Sequence, residues 1–276
     1  MTEKDSAVRD MESSLMQRAR AGDKDALSRL FAEHVPTVHR FAMRMCRDEE
    51  RARDIAQESM LTALKSLDAF RGDASFSTWL FTIARSHCGK ARRRADREPL
   101  HDQPEGPSDA VASSEPLPDV QVAHGQVSDV VEAALAALDP GDREVVLLRD
   151  VEGLPARDAA EVLGISVPAL KSRLHRARAA LRDHVRGALG DHAEPPSPAC
   201  PDVISAFSEK LEGDLADNAC AALEAHLASC PGCAARCESI RRVLGACTML
   251  RTQPVTPELR RTFEQILAGL QRRPGV

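Results

Sequence analysis

The residues most able to do chemistry lie near the C-terminus, where the chain reads Cys200-x25-His226-x3-Cys230-x2-Cys233. On a helix His226 and Cys230 stand four residues apart and project from one side, and Pro231-Gly232 lets the chain turn to deliver Cys233. Cys200, from an upstream segment, completes a set of four soft or borderline ligands, which suits one tetrahedral zinc ion per chain. Four protein ligands leave no position for a water molecule, and no glutamate-bearing hydrolytic motif accompanies them, so a zinc enzyme is disfavoured. Cys230-Pro231-Gly232-Cys233 has the form of a redox dithiol but lacks the expected βαβ context. Cys237, four residues further on, has three open roles: replacing a ligand, joining a second metal site, or forming a disulfide after metal loss. Cys220 and Cys247 read as small buried hydrophobes, Cys46 and Cys88 as core or nonspecific, and His34, His39 and His101 carry no motif.

A second constellation is basic. Residues 155–181 have the pattern of a helix-turn-helix: a short helix with Ala159 and Val162 inward, the breaker-like stretch Leu163-Gly164-Ile165-Ser166, then a longer helix. Ser166 is a natural N-cap, and Pro168 in the first turn costs little because its missing amide has no intrahelical partner. Leu170, Leu174 and Ala177 form the inward face, leaving Lys171, Ser172, Arg173, His175, Arg176 and Arg178 for phosphates and base edges. The plainer reading of the same helix is a solvated basic face in an ordinary bundle.

The elements that must hold these groups are helical. With 3% aromatic residues, no Tyr and one Trp, the 276-residue chain has a composition that favours an all-α fold. Helical apolar spacing begins near Leu15, as in Leu27, Leu30, Phe31, Val35, Val38 and Phe41, and defines a first domain over 12–97. It ends in Arg92, Arg93, Arg94 and Arg97, after which seven acidic residues and no Lys or Arg fall between Glu98 and Asp129. Five prolines between Pro99 and Pro118 mark 98–128 as an acidic linker that cannot bury enough apolar surface to fold alone. The helix-turn-helix domain then occupies 129–189, a Pro-rich tether 190–199, the small helical cysteine-bearing domain 200–250, and a terminal amphipathic helix with its tail 251–276. The net charge of −5 argues against uniform coating of nucleic acid, so the local basic surfaces matter more than the total. No signal peptide or membrane span is evident, which predicts a cytoplasmic protein whose cysteines serve metal or redox chemistry rather than structural disulfides.

The motifs then become specific. Leu138-Asp139-Pro140, Arg143-Glu144-Val145 and the run Lys171-Ser172-Arg173-Leu174-His175-Arg176-Ala177-Arg178 resemble the fourth conserved region of extracytoplasmic-function (ECF) sigma factors of RNA polymerase. In that family this domain reads the minus-35 promoter element and meets the β flap. Asp54-Ile55-Ala56-Gln57-Glu58 with Leu61 resembles the second region, implying that Asp54, Gln57, Glu58 and Leu61 dock on the β′ clamp. Phe70-Arg71-Gly72, Phe76-Ser77-Thr78-Trp79-Leu80 and Ile83-Ala84-Arg85 resemble the segment that melts and holds the minus-10 element, implying DNA roles for Arg71, Phe76, Trp79 and Arg85, with Arg92 and Arg93 near phosphates. As plain packing, Phe76, Trp79 and Phe81 would instead face inward. The family's Asn and Asp after this segment are replaced by Ser86 and Lys90.

The His-x3-Cys-x2-Cys core with its upstream Cys200 resembles the zinc-binding anti-sigma domain, here fused to its presumed target, and the Cys-rich tail is similar to that of the CorE-like group. The resemblance implies core polymerase and promoter DNA as partners, no enzymatic activity, and intramolecular regulation by metal or redox state. The alternative is a metal-responsive repressor or activator that binds DNA without polymerase. A ten-residue tether spans at most about 35 Å, so the C-terminal domain is expected to reach the helix-turn-helix domain and linker first.

Overall fold

A computed structural model describes residues 3–72, 74–95, 119–189, 197, 199–251, 261 and 265, with side chains from residue 12 in the first stretch and from 128 in the third. Most of the acidic linker, the tether and the expected C-terminal helix at 257–271 therefore lie outside the described residues. All regular structure among the described residues is helical, in agreement with the all-α expectation.

The N-terminal unit contains α1 (Glu3–Arg20), α2 (Lys24–Cys46), α3 (Glu49–Lys65) and α4 (Phe76–Ala95). Local sequence sets the breaks between them. Asp23 caps α2 by accepting from the amides of Asp25 and Ala26 at 3.0 Å each, and Arg47 ends it in the left-handed region at φ 57°. Asp48 caps α3 through the Arg51 amide, 2.7 Å away. Leu30, Phe31, Val38, Phe41 and Phe81 are buried at the centre, with the Phe41 and Phe81 rings edge-on at 5.3 Å between centroids.

The second unit contains α5 (Asp119–Ala137), α6 (Pro140–Val146), a π-helical turn (Leu147–Val151), α7 (Ala156–Leu163) and α8 (Val167–Ala188). It is richer than the two helices read from sequence, and α5 begins inside the expected linker, because the buried stripe Val131, Ala134, Leu135, Leu138 gives a helix something to pack against. The helix-turn-helix details hold: Ala159 and Val162 are buried, Gly164 takes φ 66°, and the Ser166 hydroxyl accepts from the Ala169 amide at 3.3 Å. Arg143 serves the free carbonyls at the end of α5, donating to Leu135, Ala136 and Leu138 at 2.7–3.0 Å.

The two units pack together. Thr78 of α4 donates to Asp158 of α7 at 3.2 Å, and Arg85 of α4 pairs with Glu144 of α6 at 3.0 Å. The C-terminal unit adds α9 (Val203–Leu211), α10 (Asp217–Ser229) and α11 (Pro231–Leu250). Its small core of Val203, Ile204, Phe207, Leu223, Cys233, Cys237 and Ile240 is separate from the large core shared by the first two units. One helix enters both. Cys233, Cys237 and Ile240 of α11 line the small core, while Val243, Ala246, Cys247 and Leu250 continue the same stripe into the large one. The Leu250 carbonyl accepts from Arg44 of α2 at 3.1 Å. The C-terminal domain thus touches both preceding units rather than the second alone. A 20-residue helix carries its far end about 30 Å, which a reckoning from tether length omits.

His39 on α2 is held well below its ordinary value, to about 4, chiefly because burial disfavours the imidazolium, with Arg53 and Arg40 adding and Glu49 opposing. The folded state then binds fewer protons than the unfolded state between pH 6.5 and 4, so stability is full above about pH 6.5 and falls as the pH drops through that window. The melting temperature of His39→Met should fall less between pH 7 and 4.5 than that of the wild type; parallel curves would remove His39 as a contributor.

Candidate metal centre and nucleic-acid interface

Three elements bring the metal ligands together. Cys200 precedes α9, whose N-cap Asp202 accepts from the Ser205 amide at 3.1 Å. His226 lies in the last turn of α10, and Cys230 is at once the C-cap of α10 and the N-cap of α11, with extended dihedrals (φ −121°, ψ 98°) that turn the chain. Pro231 then starts α11 where its missing amide costs nothing, and Cys233 follows in the first turn.

Ligand atoms of Cys200, His226, Cys230 and Cys233 all lie within 4.8 Å of one another, and the Cys200 and Cys230 sulfurs are 3.9 Å apart. Tetrahedral zinc thiolates require a sulfur separation of about 3.8 Å, from bonds of about 2.3 Å. The His226 Nε2 is buried without a hydrogen-bond partner, as a ring nitrogen that serves a metal would be. The Cys230 thiol is lowered first by the Cys233 amide and thiol, with Cys200 and the Gly232 amide adding, while Cys233 is pushed up to about 12 by burial and by the neighbouring thiols. A bound cation would relieve that crowding of sulfur, and the residues present fit a metal ion.

Cys237 falls outside this set: it is buried and its thiol donates to the Val203 carbonyl at 3.8 Å, so it packs the small core. Cys247 is fully buried as expected, whereas Cys220 is only half-buried.

The basic helix is not the open surface that its sequence implies. Arg178, expected to be exposed, is 3% exposed. Its guanidinium donates to Asp150 at 2.6 and 3.0 Å, to the Ser208 hydroxyl at 2.9 Å and to Glu212 at 2.8 Å. Ser208 and Glu212 belong to the C-terminal domain, and Glu212 also accepts from Arg149 at 3.0 Å. Lys171 pairs with Asp214 of the same turn. His175, also expected outward, is half-buried with an unpartnered Nε2 and lies near Asp202. Ser172 and Arg176 remain exposed, and Arg173 is half-exposed. A cleft of about 640 Å³ remains between α8 and α9, lined by Val167, Pro168, Lys171, Ser172, His175 and Glu209 among others. Asp150, Glu212 and Asp214 were missed by sequence reasoning; the only local signal is the acidic turn Glu212-Gly213-Asp214.

On the first unit Phe76 is a correction of the same kind. It is buried against Phe31, His34, Phe70 and Trp79 rather than free to stack on bases. Trp79 is half-buried beside Phe70, and Arg85 is engaged with Glu144. Arg71, Arg92 and Arg93 are exposed. Asp54, Gln57, Glu58 and Leu61 share one face of α3; Asp54 and Glu58 are exposed, and Gln57 and Leu61 are half-buried.

A four-helix unit, a helix-turn-helix unit and a Cys3His module together define a sigma-type initiation factor with an appended zinc-finger module. The family descriptions that match bear this out: Sigma-70 region 2 over residues 30–98, Sigma-70 region 4 over 128–181, and a zinc-finger family over 200–234. The ECF RNA polymerase sigma factor SigM of Mycobacterium tuberculosis is 33% identical over 62% of this chain and 82% of its own length. CnrH of Cupriavidus metallidurans, an RNA polymerase sigma factor, is 34% identical over 62% of this chain and 93% of its own. Among solved structures, CnrH in complex with the cytosolic domain of CnrY aligns over 67% of this chain and 99% of that one, with 28% identity and a TM-score of 0.46. The chain belongs to the ECF sigma factors of RNA polymerase, which are initiation factors and not enzymes. The match to region 2 sets aside a repressor that acts without polymerase, since such a protein has no use for that domain.

Replacing His226 or Cys230 by Ala should lower the metal bound by the purified chain from about one equivalent to well below half, because one four-ligand set loses a quarter of its donors. Elemental analysis of the pair of variants and their double mutant checks this; full metal content in the double mutant would place the metal elsewhere.

Proposed function

We propose that this ECF sigma factor is held closed by its own C-terminal domain and released when that domain loses its grip on the recognition helix. The observation that supports this most strongly is the pairing of Glu212 and Asp214 with Arg149, Arg178 and Lys171: carboxylates of the C-terminal domain occupy cations that would otherwise meet phosphates. In the open state Lys171, Ser172, Arg173, His175 and Arg176 contact the minus-35 element, and Arg178 joins them only after leaving Asp150 and Glu212. Arg71, Trp79, Arg85, Arg92 and Arg93 serve the melted minus-10 element; Phe76 supports Trp79 from beneath. Asp54, Gln57, Glu58 and Leu61 dock on the polymerase β′ clamp, and the region 4 domain meets the β flap. The protein acts in the cytoplasm. The metal is zinc, which three thiolates and an imidazole suit, and it clamps α9 onto α10 and α11. The functional units divide at 12–97, 129–189 and 200–250, separated by the acidic linker and the tether.

Breaking one partner out of a buried ion pair costs about 3–5 kcal/mol, and a tenfold change in an equilibrium needs only about 1.4 kcal/mol. Glu212→Ala combined with Asp214→Ala should therefore raise promoter binding and in vitro transcription by about tenfold or more, and truncation at Gly190 should make transcription independent of metal and oxidant. The point variants matter because truncation also strips Val243 and Leu250 from the large core. A truncated protein that still responded to metal and oxidant would sink the proposal, and loss of transcription in the double variant would mean that the domain activates instead.

Within the released protein, Lys171→Ala and Arg176→Ala should each weaken binding to the upstream promoter element and lower the slope of log affinity against log salt by about one for each phosphate no longer neutralised. Polymerase association should be unchanged. Unaltered binding and slope in both variants would remove α8 from the DNA interface.

A further inference from the structure

Glu58 stands out from α3 with no cation beside it on its own helix. Its neighbours three and four residues away are Asp54, Ile55, Leu61 and Thr62, so nothing on α3 draws the carboxylate to one place and Asp54 repels it. The support comes from α4, which packs along α3. The His87 ring lies with its Nδ1 2.9 Å from Glu58 Oε2 and its Nε2 3.1 Å from Thr62 Oγ1, one turn further along α3. Two successive turns of one helix thus engage both ring nitrogens. The carboxylate accepts, so Nδ1 carries a proton, and the Thr62 hydroxyl suits either state of Nε2, donating to a bare nitrogen or accepting from a protonated one. A ring held at both nitrogens cannot turn away, and its Nδ1 stays aimed at Glu58. The His87 side chain is 14% exposed and that of Glu58 is 59% exposed, so a sheltered ring fixes a carboxylate that faces solvent.

We propose that His87 is a positioning residue for polymerase docking, which holds the Glu58 carboxylate in one orientation on the face of α3 offered to core polymerase. The proposal rests on the reading that Glu58 docks on the β′ clamp, and it adds a residue that lies on another helix and in no motif. A glutamate side chain free to turn must be ordered when it binds, a cost that a side chain already held avoids. His87 uses only Oε2, and a carboxylate has acceptor capacity for a second donor at Oε1. Glu58 is therefore fixed without being used up. The same two contacts tie α3 to α4, the helix that carries Trp79 and Arg85, so the face proposed for polymerase and the helix proposed for the melted minus-10 element keep one register.

The test measures the affinity of the full-length chain for core RNA polymerase. His87→Leu, which fills the space without a donor, should weaken binding about three- to tenfold, the range expected when one side chain must be ordered afresh. His87→Asn, whose amide can donate from the place of Nδ1, should restore most of that loss, which a role in packing alone would not allow. In a Glu58→Ala background His87→Leu should have no further effect, because a residue that acts through Glu58 has nothing to act on once the carboxylate is gone. In the wild type, nitrogen NMR should find the neutral His87 ring protonated at Nδ1, a readout that does not depend on any variant folding. If Glu58→Ala weakens binding while His87→Leu does not, if the two losses add, if Asn is no better than Leu, or if the neutral ring carries its proton on Nε2, the positioning role is overturned and the docking reading stands. If Glu58→Ala leaves the affinity unchanged, the docking reading fails and the proposal falls with it.

Discussion

Much of this structure depends on the requirement that a buried guanidinium be fully paired. Arg178 lies on the recognition helix at 3% exposure, and it is satisfied there only because Asp150 from its own domain and Ser208 and Glu212 from the C-terminal domain surround it. Burial drives the Asp150 carboxyl upward against the pull of Arg178, while the carboxylates around Arg178 favour its charged form. Such a cluster contributes less to net stability than to uniqueness, since desolvation offsets most of the attraction, but removing one member is costly. In the proposed release Arg178 exchanges these carboxylates for phosphates, and the two environments can be nearly balanced.

That balance is set by how firmly α9 is held. The helix has Cys200 of the candidate metal set just before it and Glu212 just after its last residue, so ligation at one end would bear on the ion pairs at the other. Its partner α11 receives Cys233 in its first turn and extends the same apolar stripe to Leu250 in the large core. A four-ligand metal site is well placed to stabilise so small a core, since Val203, Ile204, Phe207, Leu223 and Ile240 supply too little apolar burial to hold three helices firmly. The candidate metal centre and α8 are thus joined through α9 and α11.

The packing of the units covers the surfaces proposed to meet DNA unequally. Arg85 is paired across the seam and Thr78 is bonded to α7, while Asp54 and Glu58 on α3 stay exposed. Arg71, Arg92 and Arg93 of the same unit are exposed as well. Under the proposed function a single chain carries both an initiation factor and the element that masks it.

The cap at Ser166, the turn at Gly164 and the clustering of Cys200, His226, Cys230 and Cys233 were legible in the sequence, because each depends on residue types a few positions apart or on a metal's demand for particular donors. Helical periodicity also identified Leu170, Leu174 and Ala177 as inward. What periodicity could not decide was the state of the polar face opposite them. Arg178 reads as exposed when only its own helix is considered, and it is buried because residues 30 and 34 positions later bring Ser208 and Glu212 to it. Phe76 could stack or pack by its type alone, and the rings of Phe31 and Phe70 settled it as core. Short-range rules fix where helices begin, end and turn one face inward; which charges are neutralised depends on long-range packing that closes one domain over another.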